Sequence, residues 1–413
     1  MDFDKVASEF PGTQDKAFLD AACVSIAPRL ACEAVADFSE IALLCPAESS
    51  TQHHLKMDEM RQEAVVESAR LLKTERENIA LVESTTHGLN IVASCLPLPA
   101  DSRVLVSEME FLQVAIPWVL QKERGVEVVS VPHSEGRVLP EDFEPYITPE
   151  TKLLVISSTQ WNNGFRCNLR AFADLCRRHD MFLAVDAVQQ LGAIRIEPEQ
   201  EGVDFLAAGG HKWLNAPFGC GILYVSPRAL TQMKPVYWGY LNLNEPEGGW
   251  GAYFSTPDIV SVRAPEAYQF TDTAKKLEIG GTSNYPGAIG LAASMRLAND
   301  LGMGRIERHV LELTDMLIEG LLEVGATLVT VPDRQYRSGI VSFRFYEDLE
   351  SERELVARLC RERVFVSIRF TASVGGIRVS CHYYNTRDHL EALFEALRQA
   401  AQERTPDYAQ EGS

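Results

Sequence analysis

Seven short apolar runs between residues 78 and 225 constrain this chain more than any other feature. They are Asn78–Val82, Arg103–Ser107, Val126–Val131, Leu153–Ser158, Phe182–Asp186, Asp204–Ala208 and Gly221–Val225, with helix-like stretches between them. A strand with one wet face alternates apolar and polar residues. These runs are almost continuously apolar, so both of their faces must be covered. Strands buried on both sides and joined by helices form a mostly parallel sheet between helical layers. The expectation is an α/β large domain on a seven-stranded, mostly parallel sheet.

The chain is long enough to hold a second unit. It has 413 residues, 46% of them hydrophobic, which is more than one core of ordinary size needs. Residues 235–280, rich in Gly, Pro, Tyr and Trp, read as a long loop region. Two helices are expected over 284–325. Then come strands at Ala326–Val331 and Gly339–Phe345, a helix at Glu352–Arg361, strands at Val364–Ile368 and Gly376–Ser380, and a helix at Thr386–Ala401. That succession is a smaller C-terminal α+β domain. The expected division is 17–290 for the large domain, and 1–16 with 291–413 for the small one.

Charge and cysteine usage narrow the partners. A net charge of −19 opposes binding to nucleic acid or to an anionic membrane. No run of about 18 apolar residues offers a membrane span. The acidic start, Met1–Lys5, lacks a secretory apolar segment, and nine scattered cysteines without a CxxC pair fit reduced thiols. A cytoplasmic protein is expected. No histidine or cysteine spacing predicts a metal site; His53–His54 reads as a solvated face.

One pair of residues carries chemistry of its own. Asp186 closes the run Phe182–Asp186, and Lys212 follows the next run through Gly209–Gly210–His211. An acid and a lysine at adjacent strand ends suit pyridoxal 5'-phosphate. The lysine amine forms a Schiff base with the cofactor aldehyde, and the carboxylate keeps the pyridine nitrogen protonated so that the ring accepts electrons. Ser84–Thr85–Thr86–His87–Gly88 follows a strand and opens a helix. It is either a plain N-cap or, beside Lys212, a phosphate cradle in which Thr86 and the His87 amide meet the anion.

With these motifs in their order, from Phe18–Leu19–Asp20–Ala21–Ala22 to the last helix, the chain resembles the class V aminotransferase family of fold type I. Within it the chain is similar to the branch of cysteine desulfurases, selenocysteine lyases and isopenicillin N epimerases. The resemblance implies that His211 reaches the cofactor phosphate. It places Gln189 and Asn162 at the ring's phenolic oxygen, Asn162 also facing substrate. It has Arg378, in Gly376–Ser380, clamp the substrate α-carboxylate. It implies a homodimer with composite sites, because Thr282 in Gly280–Gly281–Thr282 corresponds to the turn that reaches the neighbouring subunit's phosphate. As plain structure, Thr282 would instead cap the following helix. His382 reads as a hydrogen-bonded structural histidine.

Three departures matter. Phe111 stands where desulfurases stack a histidine on the cofactor; it can stack but cannot shuttle protons. The stretch Ile368–Gly376 is short and lacks the desulfurase cysteine, and the nearest thiols in sequence are Cys360 and Cys381. Gly209 replaces a phosphate-binding serine. Lys212 is left as the acid–base group, for a small α-amino acid substrate. β-Elimination of a cysteine-type substrate by C–S cleavage ranks first and transamination second. A kynureninase-like hydrolase, suggested by Phe111 and Pro235–Tyr240, and an epimerase follow. A silent binding or assembly relative is the rival outside enzymes.

Overall fold

The computed structural model describes residues 3–257 and 269–404. The segment 258–268 of the expected loop region therefore lies outside the described residues. A short first strand, β1 (Ala17–Phe18), is followed by the seven expected ones: β2 (Ile79–Val82), β3 (Arg103–Ser107), β4 (Glu127–Val131), β5 (Thr151–Ser157), β6 (Phe182–Asp186), β7 (Phe205–Gly209) and β8 (Gly221–Val225). They form one sheet in the order β2-β8-β7-β6-β5-β3-β4, with β8 antiparallel to both neighbours and every other pair parallel.

Strand periodicity sorts the apolar residues into two cores. Leu154, Ile156, Leu183, Val185, Leu206 and Ala208 pack on one face of the sheet; Leu153, Val155, Ala184, Phe205 and Ala207 pack on the other. The three central parallel strands then end together. Ser157 of β5 lies beside Asp186 of β6, and Asp186 beside Ala207 of β7. Loops leaving the carboxyl ends of such strands are where α/β sheets bind ligands.

The rest of the chain builds a four-stranded sheet in the order β12-β13-β10-β9, from β9 (Thr327–Leu328), β10 (Ile340–Arg344), β12 (Ser367–Thr371) and β13 (Val374–Ser380). Two sequence expectations change here. Ala326–Val331 contributes only two strand residues. Val364–Ile368 is split: β11 (Val364–Phe365) pairs in parallel with β1, and β12 begins at Ser367. The stretch Ile368–Gly376 is a hairpin, closed at Ala372 (φ 46°) and Ser373 (φ 63°), two left-handed residues that match the twist of the strands they join.

Helix Tyr285–Leu301 runs unbroken through residue 290 and packs on helices Arg29–Leu44 and Ser50–Leu72. Ala17 and Leu19 sit in the core of the smaller sheet, with Leu317, Phe343 and Leu397. The division at 290 thus falls inside a helix. We propose two domains that part at Gly302, whose φ of +86° turns the chain before helix Met303–Glu323. Val6 and Phe10 pack with Trp213, Ile306, Tyr383 and Tyr384, between the two sheets. Among the described residues no helix is long and apolar enough to cross a membrane.

Candidate active site

Asp186 ends β6 because five residues of buried strand deliver it to the sheet's carboxyl edge. The Val188 N–H donates to its Oδ1 at 2.8 Å. Burial pushes this carboxyl up to about 6, opposed by that hydrogen bond and by Lys212. Lys212 lies past β7, and burial lowers its amine below the ordinary lysine range. Asp186 opposes the shift, while Arg378 and Arg369 add to it. Each residue therefore stabilises the charged form of the other in a dry site.

A cavity of about 180 Å³ joins them. Asp186, Lys212, Gln189, Phe111, Trp161, Arg378, Arg369 and Cys23 all line it. Phe111 is 40% exposed, with Lys212 Nζ 6.0 Å from its ring centroid and the Trp161 ring edge-on at 5.2 Å. Gln189 is held on both sides: its Nε2 donates to Ala22 O at 3.0 Å, and its Oε1 accepts from Trp213 Nε1 at 2.9 Å. One amide hydrogen remains for a ligand. Asn162 is fully buried; its Nδ2 donates to Val374 O at 2.9 Å, and its Oδ1 reaches no partner among the described residues.

Arg378 is 1% exposed. Its Nη1 donates to Trp161 O at 2.8 Å and its Nη2 to Asp20 Oδ1 at 3.0 Å, while its Nε has no partner among the described residues. Arg369 meets Ile368 O at 2.8 Å and Cys23 Sγ at 3.5 Å.

The phosphate end differs in one detail. Helix Thr85–Cys95 starts as foreseen, but Ser84 is its cap and takes the His87 N–H at 3.1 Å. An N-cap side chain binds the amide three residues on, so the His87 amide expected for an anion is occupied. Thr85 Oγ1 instead accepts from Gly209 N–H at 2.8 Å, tying the helix start to β7. Thr86 Oγ1 accepts from Gln113 Nε2 at 2.6 Å. The His211 ring stacks on Phe218 at 5.2 Å. A Cβ at Gly209 would lie 3.1 Å from both Thr85 Oγ1 and His211 Nδ1, so glycine fits this crowded corner where a serine would not without displacement.

Thr282 does not line the Lys212 cavity. Its neighbour Gly281 lines a separate pocket of about 980 Å³ with Arg61, Asn242 and Tyr285, and Asn284, not Thr282, caps the next helix. His382 is buried between Trp213 O (3.0 Å) and the Tyr383 N–H (2.8 Å), and burial pushes it down to about 3, a structural histidine. Among the described residues no cluster of His, Cys, Asp and Glu could hold a metal.

Sequence reasoning missed three contributors. Cys381 is fully buried and Cys360 is exposed on a helix, whereas Cys23 lines the cavity. Its signal was its place directly after Asp20–Ala21–Ala22. Asp20 itself reaches Arg378. Glu110 is buried beneath the floor, where it accepts from Ser157 N–H at 2.8 Å and Gln160 Nε2 at 2.9 Å; burial pushes it up to about 7.

A carboxylate and a lysine closing neighbouring strands of this sheet, with a second small sheet over the cavity, define a pyridoxal-phosphate enzyme of fold type I. The chain belongs to the class-V aminotransferase family, whose profile matches residues 17–393. It is similar to a probable cysteine desulfurase of Methanothermobacter thermautotrophicus, 26% identical over 97% of this chain and 98% of that one. The isopenicillin N epimerase of Streptomyces clavuligerus is 26% identical over 80% and 81%. Among solved structures, a cysteine desulfurase from Thermococcus onnurineus superposes with a TM-score of 0.82 at 22% identity, over 97% of this chain and 98% of that one. The cystine C–S lyase C-DES, solved with cysteine persulfide, gives 0.82 at 22%, over 94% and 99%. The enzyme uses pyridoxal phosphate, and the residues present fit it. A buried acid and amine share the cavity, and Arg378, which lines it, has an orphaned Nε that a bound group would complete; Asn162, fully buried, does not line it.

Proposed function

We propose that this enzyme is a β-eliminating lyase that cleaves the C–S bond of a cysteine-type α-amino acid. The observation that carries this is the content of the cavity: Lys212, Asp186 and Arg378 line it together, and no histidine does among the described residues. Pyridoxal phosphate, when bound, supplies an aldehyde for amino groups and a ring that takes up the electron pair left at Cα.

The chain's residues do the rest. Lys212 holds the cofactor, then moves the proton at the substrate Cα. Its lowered affinity for protons suits a base. Asp186 holds the proton at the ring nitrogen. Phe111 is a passive platform for the ring. Asn162 and the remaining Gln189 hydrogen serve the phenolic oxygen, Asn162 also facing substrate. Thr86, His211 and, across a homodimer, the partner subunit's Thr282 hold the phosphate. Arg378 takes the α-carboxylate, where a fork of donors fixes the plane of the substrate.

The hairpin at Ala372–Ser373 leaves no loop for a sulfur-accepting cysteine, which supports elimination over desulfuration. Transamination uses the same single base and is the second reading. The test is a screen of amino acids on the loaded enzyme. Pyruvate and a thiol from a cysteine derivative support elimination. A keto acid with cofactor turned to its amine form supports transamination. Alanine and protein-bound persulfide from cysteine, both lost in Cys23→Ala, would overturn elimination. A protein that neither binds cofactor nor changes any amino acid would be a silent relative.

A further inference from the structure

Among the described residues Cys23 is the one cysteine lining the Lys212 cavity, and it is also exposed to solvent. It therefore stands at the mouth. Its backbone is pinned on both sides. The Cys23 N–H donates to Asp20 O at 3.0 Å, and two residues on the Ser25 N–H donates to His211 O at 2.9 Å. The second bond ties this turn to the residue before Lys212, so the thiol is held in the same small cavity as the amine.

Three cations share that cavity with the sulfur. Arg369 Nη2 lies 3.5 Å from it, and Lys212 and Arg378 each feel its charge, which favours their protonated forms. The negative charge that a sulfur carries as a nucleophile or as a leaving group meets positive charge here. Arg378, 1% exposed, lines the cavity with its Nε unpartnered among the described residues, so an arriving polar group finds a free donor beside the thiol. The other cysteines lack this setting. Burial pushes Cys95 up to about 11 and Cys176, Cys220 and Cys381 up to about 12, and Cys167 is buried too. Thiols so placed are inert. Cys32, Cys45 and Cys360 are exposed, but none lines this cavity. They sit on the surface of a chain of net charge −19, which repels an anionic reagent.

We infer that Cys23 is a modification site for low-molecular-weight disulfides, and that the half left on its sulfur closes the cavity to amino acids. The Cys23 thiolate attacks one sulfur of the disulfide. A new S–S bond forms, the old one breaks, and the other half leaves as a thiolate that takes up a proton. Cys23 is oxidised and the departing half is reduced, so no further oxidant enters. The cavity measures about 180 Å³, and a substituent on the sulfur at its mouth occupies the way in. Excess thiol reverses the exchange. Closure acts before any substrate bond breaks, so it holds for elimination and transamination alike; only this second half of the inference rests on reading the cavity as an amino-acid site.

The test treats the cofactor-loaded enzyme with oxidised glutathione and, separately, with cystamine, and follows adducts over time by peptide mass spectrometry. Oxidised glutathione, an anion, should label Cys23 about tenfold or more faster than Cys32, Cys45 or Cys360, and cystamine, a cation, should narrow that lead. Arg369→Gln should slow labelling of Cys23 and leave the other three unchanged. The spectral change induced by L-alanine should disappear in step with Cys23 labelling and return with dithiothreitol. Whatever alanine response Cys23→Ser retains should be unmoved by oxidised glutathione. Labelling of another cysteine ahead of Cys23, or an equal lead with both reagents, would overturn the site. Full labelling of Cys23 with an unchanged alanine response would overturn the closure. If alanine gives no response in the untreated enzyme, the amino-acid reading fails, and the order of labelling still decides the site.

Discussion

The two ends of the cavity are built by different means. The Asp186–Lys212 end comes from neighbouring strands of one sheet, within a short piece of chain. The arginine end is assembled from three remote pieces: Asp20 and Cys23 near the start, Trp161 after β5, and Arg369 and Arg378 on the late hairpin. The first end is specified by strand length alone, because a buried strand must deliver its last residue to the edge. The second depends on the smaller sheet being seated on the larger. Cofactor chemistry should therefore survive damage that abolishes substrate recognition, and variants can break or sharpen that contrast.

The largest effect is expected at the cofactor end. Lys212→Ala should fold, and should lose turnover by roughly 10³-fold or more. Borohydride should fix cofactor to Lys212 in the parent and nowhere in the variant, as peptide mapping would read. Labelling at another lysine would break the assignment.

At the arginine end, Arg378→Lys should weaken amino-acid binding by about 1.5–3 kcal/mol, the scale of hydrogen bonds to charged groups. The cofactor absorbance should stay as in the parent, and the rate should fall with binding, because the Cα–H bond is no longer aligned. An unchanged substrate titration would move the carboxylate to Arg369 and dissolve the contrast between the two guanidinia.

Glu110 tests the floor beneath both ends. Its carboxyl is held up to about 7 by burial, so the folded state keeps a proton that the unfolded chain releases. That contribution is present below the ordinary carboxylate range and is lost as pH rises through about 7. Thermal melts of the holoenzyme should fall between pH 5 and 8 by roughly 1–2 kcal/mol more in the parent than in Glu110→Gln. Parallel curves would mean that Glu110 stays ionised.

The smallest change is expected at the platform. Phe111→His should keep the cofactor bound and alter rates by a few-fold at most, because the ring offers surface and not protons. A large gain in amino-acid racemisation would show that a second base had been restored to the cavity.

What was legible in the sequence follows the same contrast. The seven strands of the large sheet could be placed within a residue or two because most are apolar runs; the exception is the edge strand β4, where Glu127 and Ser130 are exposed and the expected cover on both faces is missing. Asp186, Lys212 and the helix start at Ser84 came with them. The cap on the His87 amide was not legible because Ser84 and an anion compete for the same donor, and the sequence offers both. Cys23 was overlooked because a search along the chain near Arg378 finds Cys360 and Cys381, while β1 pairing with β11 brings residues from the opposite end of the chain. The split at Phe365–Ser367 was hidden because Val364–Ile368 is mostly apolar and no glycine or proline interrupts it.

The Asp20–Arg378 contact spans 358 positions. At about 5–20 residues per second of synthesis, the two partners are made roughly 20 to 70 s apart. Lys212 precedes Arg378 by 166 positions, so for roughly the last 8 to 33 s of that interval the sheet and Lys212 exist on the nascent chain without the guanidinium that would hold a substrate. The catalyst is thus unarmed until translation is nearly finished: a reactive amine is exposed to cofactor early, but amino acids in the surrounding pool find no complete receptor until the last hairpin closes over the first strand.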